Sequence, residues 1–134
     1  MKWFGKSAHE PAEPLPTDNK GIGNLGEEVA ATFLEGKRYR ILERNLKTSF
    51  KELDLIAEQD GILVFVEVKT RTSYNFGGAE QAMTKKKIIN LKQAALYYLN
   101  RNKIKYRTLR FDFLAVDYNQ LDKTAKIKHY QDII

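Results

Sequence analysis

Lys51–Arg71, KELDLIAEQDGILVFVEVKTR, is the stretch whose reading decides the fold. Two apolar runs, Leu53–Ala57 and Ile62–Val68, flank Asp60-Gly61. Asp-Gly between alternating hydrophobic residues predicts a β-hairpin, because glycine accepts the positive φ of a tight turn. A loop centred on these two residues sets Asp54 opposite Glu67 and Glu52 opposite Lys69. Strand side chains alternate between faces, so Glu52, Asp54, Ile56, Leu63, Phe65, Glu67 and Lys69 share one face. Leu53, Leu55, Ala57, Ile62, Val64, Val66 and Val68 share the other, an unbroken apolar set that requires a covering helix. An odd-length loop would send Asp54 to that second face. A hairpin apolar on one face and largely apolar on the other is central in its sheet. Yet this one opposes two carboxylates, which repel when directly across from each other, and a charge removed from water needs a partner. A cation is therefore expected between Asp54 and Glu67. Lys69, two residues along the same face, bridges both poorly, and a divalent metal ion is the simplest answer. The plainer alternative is a half-exposed strand with a Glu/Lys ladder, for which Leu-Val-Phe-Val-Glu-Val-Lys is too apolar.

The chain around this hairpin has 134 residues, enough for one domain with a real core. Its 43% hydrophobic and 30% charged residues suit a soluble globular protein. No run approaches the length of a membrane span, and Met1–Lys6 lacks the apolar core of a signal peptide. No membrane partner and a cytoplasmic location are therefore expected. With no cysteine, disulfides and thiolate metal sites are excluded. The net charge of +6 is unevenly spread: Thr84–Arg110 holds nine basic residues and no acidic one, which leaves −3 for the remainder. Such a basic stretch fits either a phosphate-backbone footprint or a solvated helix face.

Residues 1–20 carry all three prolines and scattered charge, and read as a disordered or loosely attached tail ahead of a single domain over 21–134. His9 lies in that tail with no companion ligand. Gly21–Gly26 spells GxGxxG, but the dinucleotide fingerprint needs a strand immediately before it, and a proline-rich tail stands there. Asn24 with Glu27 three residues on is a capping pattern, and Leu25, Val29, Phe33 and Leu34 make the apolar stripe of a helix ending near Gly36. Glu27 has two readings, a cap for that helix or a further carboxylate at the acidic pair. Tyr39–Lys47 is the first strand of an antiparallel meander that continues into the hairpin. Thr70–Gly78 reads as a loop over the site. A long helix follows within 79–101, or from Thr84 as N-cap, with Ile88, Leu91, Ala95, Tyr98 and Leu99 on its apolar face. Lys87 either snorkels from a packed stem or points to the acids. Thr108–Val116 is a buried strand reached by a right-handed parallel crossover. Ala125–Ile133 is an edge strand with Lys126 and Lys128, and His129 on it reads as a surface or packing residue.

The order helix, three-strand meander, helix, strand, with Asp54 on one hairpin strand and Glu67-Val-Lys69 on the next, resembles the PD-(D/E)XK nuclease superfamily. Within it the chain resembles the YraN family of small bacterial proteins related to Holliday-junction resolvases. The residues that carry this are Gly26-Glu27 with Ala30, Glu52–Ala57, Leu63–Arg71, Phe76-Gly77, Lys87 and Arg110–Asp112. Leu53 stands where the superfamily motif has proline, and Lys51 stands in place of an expected glycine. The resemblance implies an α/β, restriction-endonuclease-like αβββαβ core, with a mixed central sheet flanked by helices and an extra C-terminal edge strand.

Asp54, Glu67 and the main-chain carbonyl of Val68 would supply the hard oxygen ligands that suit Mg²⁺ or Mn²⁺. Such an ion stabilises charge on a scissile phosphate and lowers the pKa of a bound water. Lys69 would orient that water, or help deprotonate it, and stabilise the developing charge. The resemblance further implies Glu27 as an added acidic contact and Lys87 as a phosphate contact. Lys85, Lys86, Lys92, Arg71 and Arg110 complete the expected nucleic-acid surface. The first expectation is thus a Mg²⁺-dependent endonuclease acting on DNA, in branched or single-stranded form. A non-catalytic nucleic-acid-binding module and a protein-interaction adaptor are the competing readings. A junction-cutting enzyme needs two active sites, so a homodimer is a conditional expectation.

Overall fold

The computed structural model describes residues 2–5, 19–72, 84–119, 121 and 123–134, without the side chains of residues 2–5, 19, 20 and 22. Eight elements follow one another: β1 (Lys2–Gly5), α1 (Asn19–Gly36), β2 (Arg40–Lys47), β3 (Glu52–Gln59), β4 (Ile62–Arg71), α2 (Lys85–Arg101), β5 (Thr108–Asn119) and β6 (Thr124–Tyr130). The strands form one sheet in the order β1-β6-β5-β4-β3-β2. Among these described strands only β4 and β5 run parallel; every other pair is antiparallel. Within β2–β6 and the two helices, the expected αβββαβ order is present.

The hairpin turns where the sequence says it must. Asp60 and Gly61 both adopt left-handed backbone, with φ of 51° and 80°, and Gln59 pairs with Ile62 immediately outside them. This is the two-residue turn whose twist matches paired strands. Glu58 accepts the Gly61 N–H at 3.1 Å, and the Gly61 carbonyl takes the Arg107 N–H at 2.7 Å, which ties the start of β5 to the turn.

Both faces of the sheet are covered. Leu55, Ala57, Val64, Val66, Leu114 and Val116 pack against Ala30, Ala31, Phe33 and Leu34 of α1. Ile56, Leu63 and Phe65 pack against Leu91, Ala94, Ala95 and Tyr98 of α2. Leu53 departs from the expected alternation: it joins the α2 side, although Leu55 lies under α1. The interruption falls at Asp54.

Several details differ from the sequence reading. Helix α1 begins at Asn19, so Asn24 lies inside it and Glu27 is not an N-terminal cap. Its C-terminus falls at Gly36, as expected, but the left-handed residue that closes it is Arg38: Arg38 has φ of 70°, the Tyr39 N–H bonds the Leu34 carbonyl and the Arg38 N–H bonds the Glu35 carbonyl, as in a Schellman ending. Strand β6 is not the edge strand, because β1 pairs with it from Lys2↔Ile127 to Gly5↔Thr124. The first residues of the expected tail are therefore strand; residues 6–18, His9 among them, lie outside the described residues. Most of the expected Thr70–Gly78 loop, residues 73–78, also lies outside them, as do 79–83, and β4 runs on to Arg71 because β5 pairs with it that far. Of the two possible starts for α2, Thr84 is the N-cap, accepting the Lys87 N–H at 3.2 Å. No helix among the described residues is long and apolar enough to cross a membrane.

Candidate metal centre at the fork between β3 and β4

The two hairpin strands part before the acidic residues. Their backbone pairing runs from Gln59↔Ile62 to Leu55↔Val66 and stops there. Beyond it β3 stays with β2 as far as Lys47↔Glu52, while β4 stays with β5 as far as Arg71↔Asp117. Each strand follows its outer neighbour, and a fork opens between them. Asp54 sits in the fork, and its carboxylate accepts the main-chain N–H of Val68 at 2.8 Å in place of a backbone partner.

Helix α1 supplies another acid to the same place. At Gly26 the helix lies so close to β4 that an added Cβ would fall 1.6 Å from Thr70 Oγ1. Only glycine permits that approach, and the next residue is Glu27. Carboxylate oxygens of Glu27, Glu52 and Asp54 come within 4.8 Å of one another. Glu27 Oε2 is buried and has no hydrogen-bond partner among the described residues. Burial, followed by the charge of Glu52, raises the Glu27 pKa, and Glu67 adds to this while a hydrogen bond from the Asn45 side chain offsets part of it. The Asp54 carboxyl is pushed up to about 7, chiefly by burial and then by Glu67, with Glu27 also contributing; the Val68 N–H and the Lys51 charge oppose the rise.

Asp54 and Glu67 thus feel each other, as the register required, but the grouping differs from the expected pair. The residues brought together are Glu27, Glu52 and Asp54, while the Glu67 carboxylate is held in an ion pair by Lys51. Neither Lys51 nor Glu52 figures in the ligand set read from the sequence. The Glu52-x-Asp54 spacing is the signal for Glu52, since strand alternation sets residues two apart on one face and the two carboxylates do come together. For Lys51 the available signal is its place immediately before the strand.

Lys69 is exposed and Val68 half-buried on β4. Lys85, Lys86, Lys87 and Lys92 are all exposed on α2. Since α2 joins two parallel strands, it must run back from the end of β4 toward the start of β5, which puts its N-terminal lysines at the fork end of the sheet. Arg71 is half-buried at the end of β4.

Arg110 requires a correction, because it does not belong to that basic surface. It pairs in register with Val64, roughly 10 Å down the strand from Glu67 at about 3.3 Å per residue. Its side chain points to the α1 side, where it meets Asp112 through two 2.9 Å bonds and the Tyr39 hydroxyl at 2.6 Å. Asp112 is fully buried and also takes His129 Nε2 at 2.8 Å and the Asp132 N–H at 3.0 Å. His129 is therefore a packing residue, edge-on to the Phe33 and Tyr39 rings.

Comparison with known proteins places the chain among close relatives. A family model described as "Uncharacterised protein family UPF0102" matches residues 26–116. A UPF0102 protein of Syntrophomonas wolfei is 46% identical over 111 residues, covering 83% of this chain and 95% of the relative. One from Sulfurihydrogenibium sp. is 39% identical over 104 residues, covering 78% and 90%. One from Dictyoglomus thermophilum is 37% identical over 117 residues, covering 87% and 97%.

Proposed function

The chain belongs to the UPF0102 (YraN) family, and for it we propose a metal-dependent endonuclease activity that hydrolyses phosphodiester bonds in DNA. The observation that carries this reading is the excess of negative charge at the fork. Among the described residues, the carboxylates of Glu27, Glu52, Asp54 and Glu67 gather there, and the ammonium group of Lys51 pairs with Glu67. One buried carboxylate oxygen of Glu27 has no hydrogen-bond partner among the described residues. Glu52 is exposed, but Glu27, Asp54 and Glu67 are part-buried, and like charges brought together away from water repel and shed their ionisation unless something compensates them. A divalent cation supplies the compensation, and an all-oxygen donor set selects Mg²⁺ or Mn²⁺ over zinc.

Asp54 and Glu67, with the Val68 carbonyl, would hold the ion, and Glu27 and Glu52 lie close enough to add contacts. When bound, the ion would polarise the phosphate and lower the pKa of a water. Lys69, exposed beside Glu67, would orient that water and balance charge developing on the phosphate. Lys85, Lys86, Lys87 and Lys92 would grip the backbone at the same end of the sheet, with Arg71 at its margin.

The Lys51–Glu67 ion pair favours a second reading, a DNA-binding module of the same fold without turnover. Cleavage separates the two. With supercoiled, single-stranded and branched DNA, the enzyme reading expects cutting that needs Mg²⁺ or Mn²⁺, stops with EDTA, and falls at least about a hundredfold in D54N and E67Q while their thermal melts show a folded protein. Binding without cleavage supports the module, and cleavage that survives both substitutions overturns the assignment of the site.

A further inference from the structure

Lys51 stands in the turn between β2 and β3, and one hydroxyl holds that turn. Thr48 Oγ1 accepts the N–H groups of Phe50 and Lys51 at 3.1 Å each and donates to the Lys51 carbonyl at 2.6 Å. The backbone at Lys51 is thereby tied at both its donor and its acceptor. From there the side chain reaches across the fork to Glu67, with both partners only 19% exposed. A pair on the open surface would be screened and weak; this one is largely out of water. The same ammonium favours the ionised form of Asp54. Lys69, on the strand that carries Glu67, is exposed.

An ammonium group and a divalent ion seek the same partners here, an oxygen of Glu67 and the field of Asp54. We infer that Lys51 is the resident counter-charge of the fork, competing with a divalent cation for Glu67 and so setting how tightly the pocket binds metal. This inference rests on reading the fork as a metal site. Entry of the ion releases the Lys51 ammonium from Glu67, and loss of the ion restores the pair, with no covalent change. A neutral residue at position 51 should therefore tighten metal binding, whereas a lysine serving only to brace the turn would leave binding unchanged or weaken it.

Mn²⁺ titrations at low salt, with free ion followed by electron paramagnetic resonance, test this on wild type, K51M, K51Q, K51R and D54N. The expected result is binding at least about tenfold tighter in K51M and K51Q, with K51R within about threefold of wild type. Glutamine keeps a neutral hydrogen bond to Glu67, so K51Q decides the matter if thermal melts show that K51M is unfolded. Neutral variants that bind no more tightly than wild type, with D54N abolishing binding, would overturn the role of Lys51 and leave the metal site standing. If neither wild type nor the neutral variants bind Mn²⁺, the metal reading of the fork fails and this inference with it.

Discussion

Asp54 and Asp112 are both carboxylates taken largely out of water, and their partners send them in opposite directions. Burial drives each toward the neutral form. At Asp112 that push is overcome by His129, Arg110 and the Asp132 N–H, so its pKa is lowered. At Asp54, Glu67 and Glu27 add to burial, and the group reaches about 7. The consequences for stability differ in sign and in window. Asp112 stabilises the fold above the ordinary aspartate pKa, and its contribution is lost only as strong acid protonates it. Asp54 binds its proton more tightly folded than unfolded, so its contribution is complete below about pH 4 and disappears as pH rises through about 7. In metal-free buffer, urea unfolding should show wild type losing stability relative to D54N between pH 4 and pH 8, by on the order of a few kcal/mol. Parallel profiles for the two proteins would mean that Asp54 titrates normally.

Among the elements, the packing of α1 on β4 positions the acids. Glu27 reaches the fork because Gly26 lets the helix lie against Thr70. Gly26→Ala should destabilise the fold by about 1–3 kcal/mol in denaturant unfolding, even though alanine favours helix more than glycine does. T70A, which removes two of the three atoms that the new methyl would meet, should restore part of the loss. A variant as stable as wild type would show that the helix can shift without penalty. The hairpin itself was legible because Asp60-Gly61 is a local signal whose backbone demand does not depend on the rest of the chain. Helix α1 was legible in its apolar stripe but not in its start, since Asn24 and Glu27 imitate a cap that the earlier turn of helix leaves unused.

For the molecule as a whole, the sheet separates the charges. The exposed lysines of α2 lie on one face, while Arg110 is spent beneath α1 on the other. If the protein grips a phosphate backbone, replacing Lys85, Lys86 and Lys92 with glutamine should flatten the dependence of log affinity on log salt. The change should be about 0.9 for each duplex phosphate left without its lysine. Arg110→Gln should leave that slope alone and instead reduce stability by about 3–5 kcal/mol, as expected when one member of a buried pair is removed. An equal flattening in Arg110→Gln would return it to the binding surface.

Much followed from the order of residues alone. Periodicity, the Asp-Gly turn and the Glu-x-Lys segment dictated a three-strand meander with helices on both sides and acids at one end, because each depends on neighbours a few positions away. Which acids meet, and which cation answers them, did not. A regular ladder would have set Asp54 squarely against Glu67. Instead β3 and β4 separate to stay with β2 and β5, Leu53 turns to the other core, and Glu52, Glu27 and Lys51 enter the pocket. Those contacts join residues far apart in the chain through competing sheet pairings, and only the assembled fold resolves that competition.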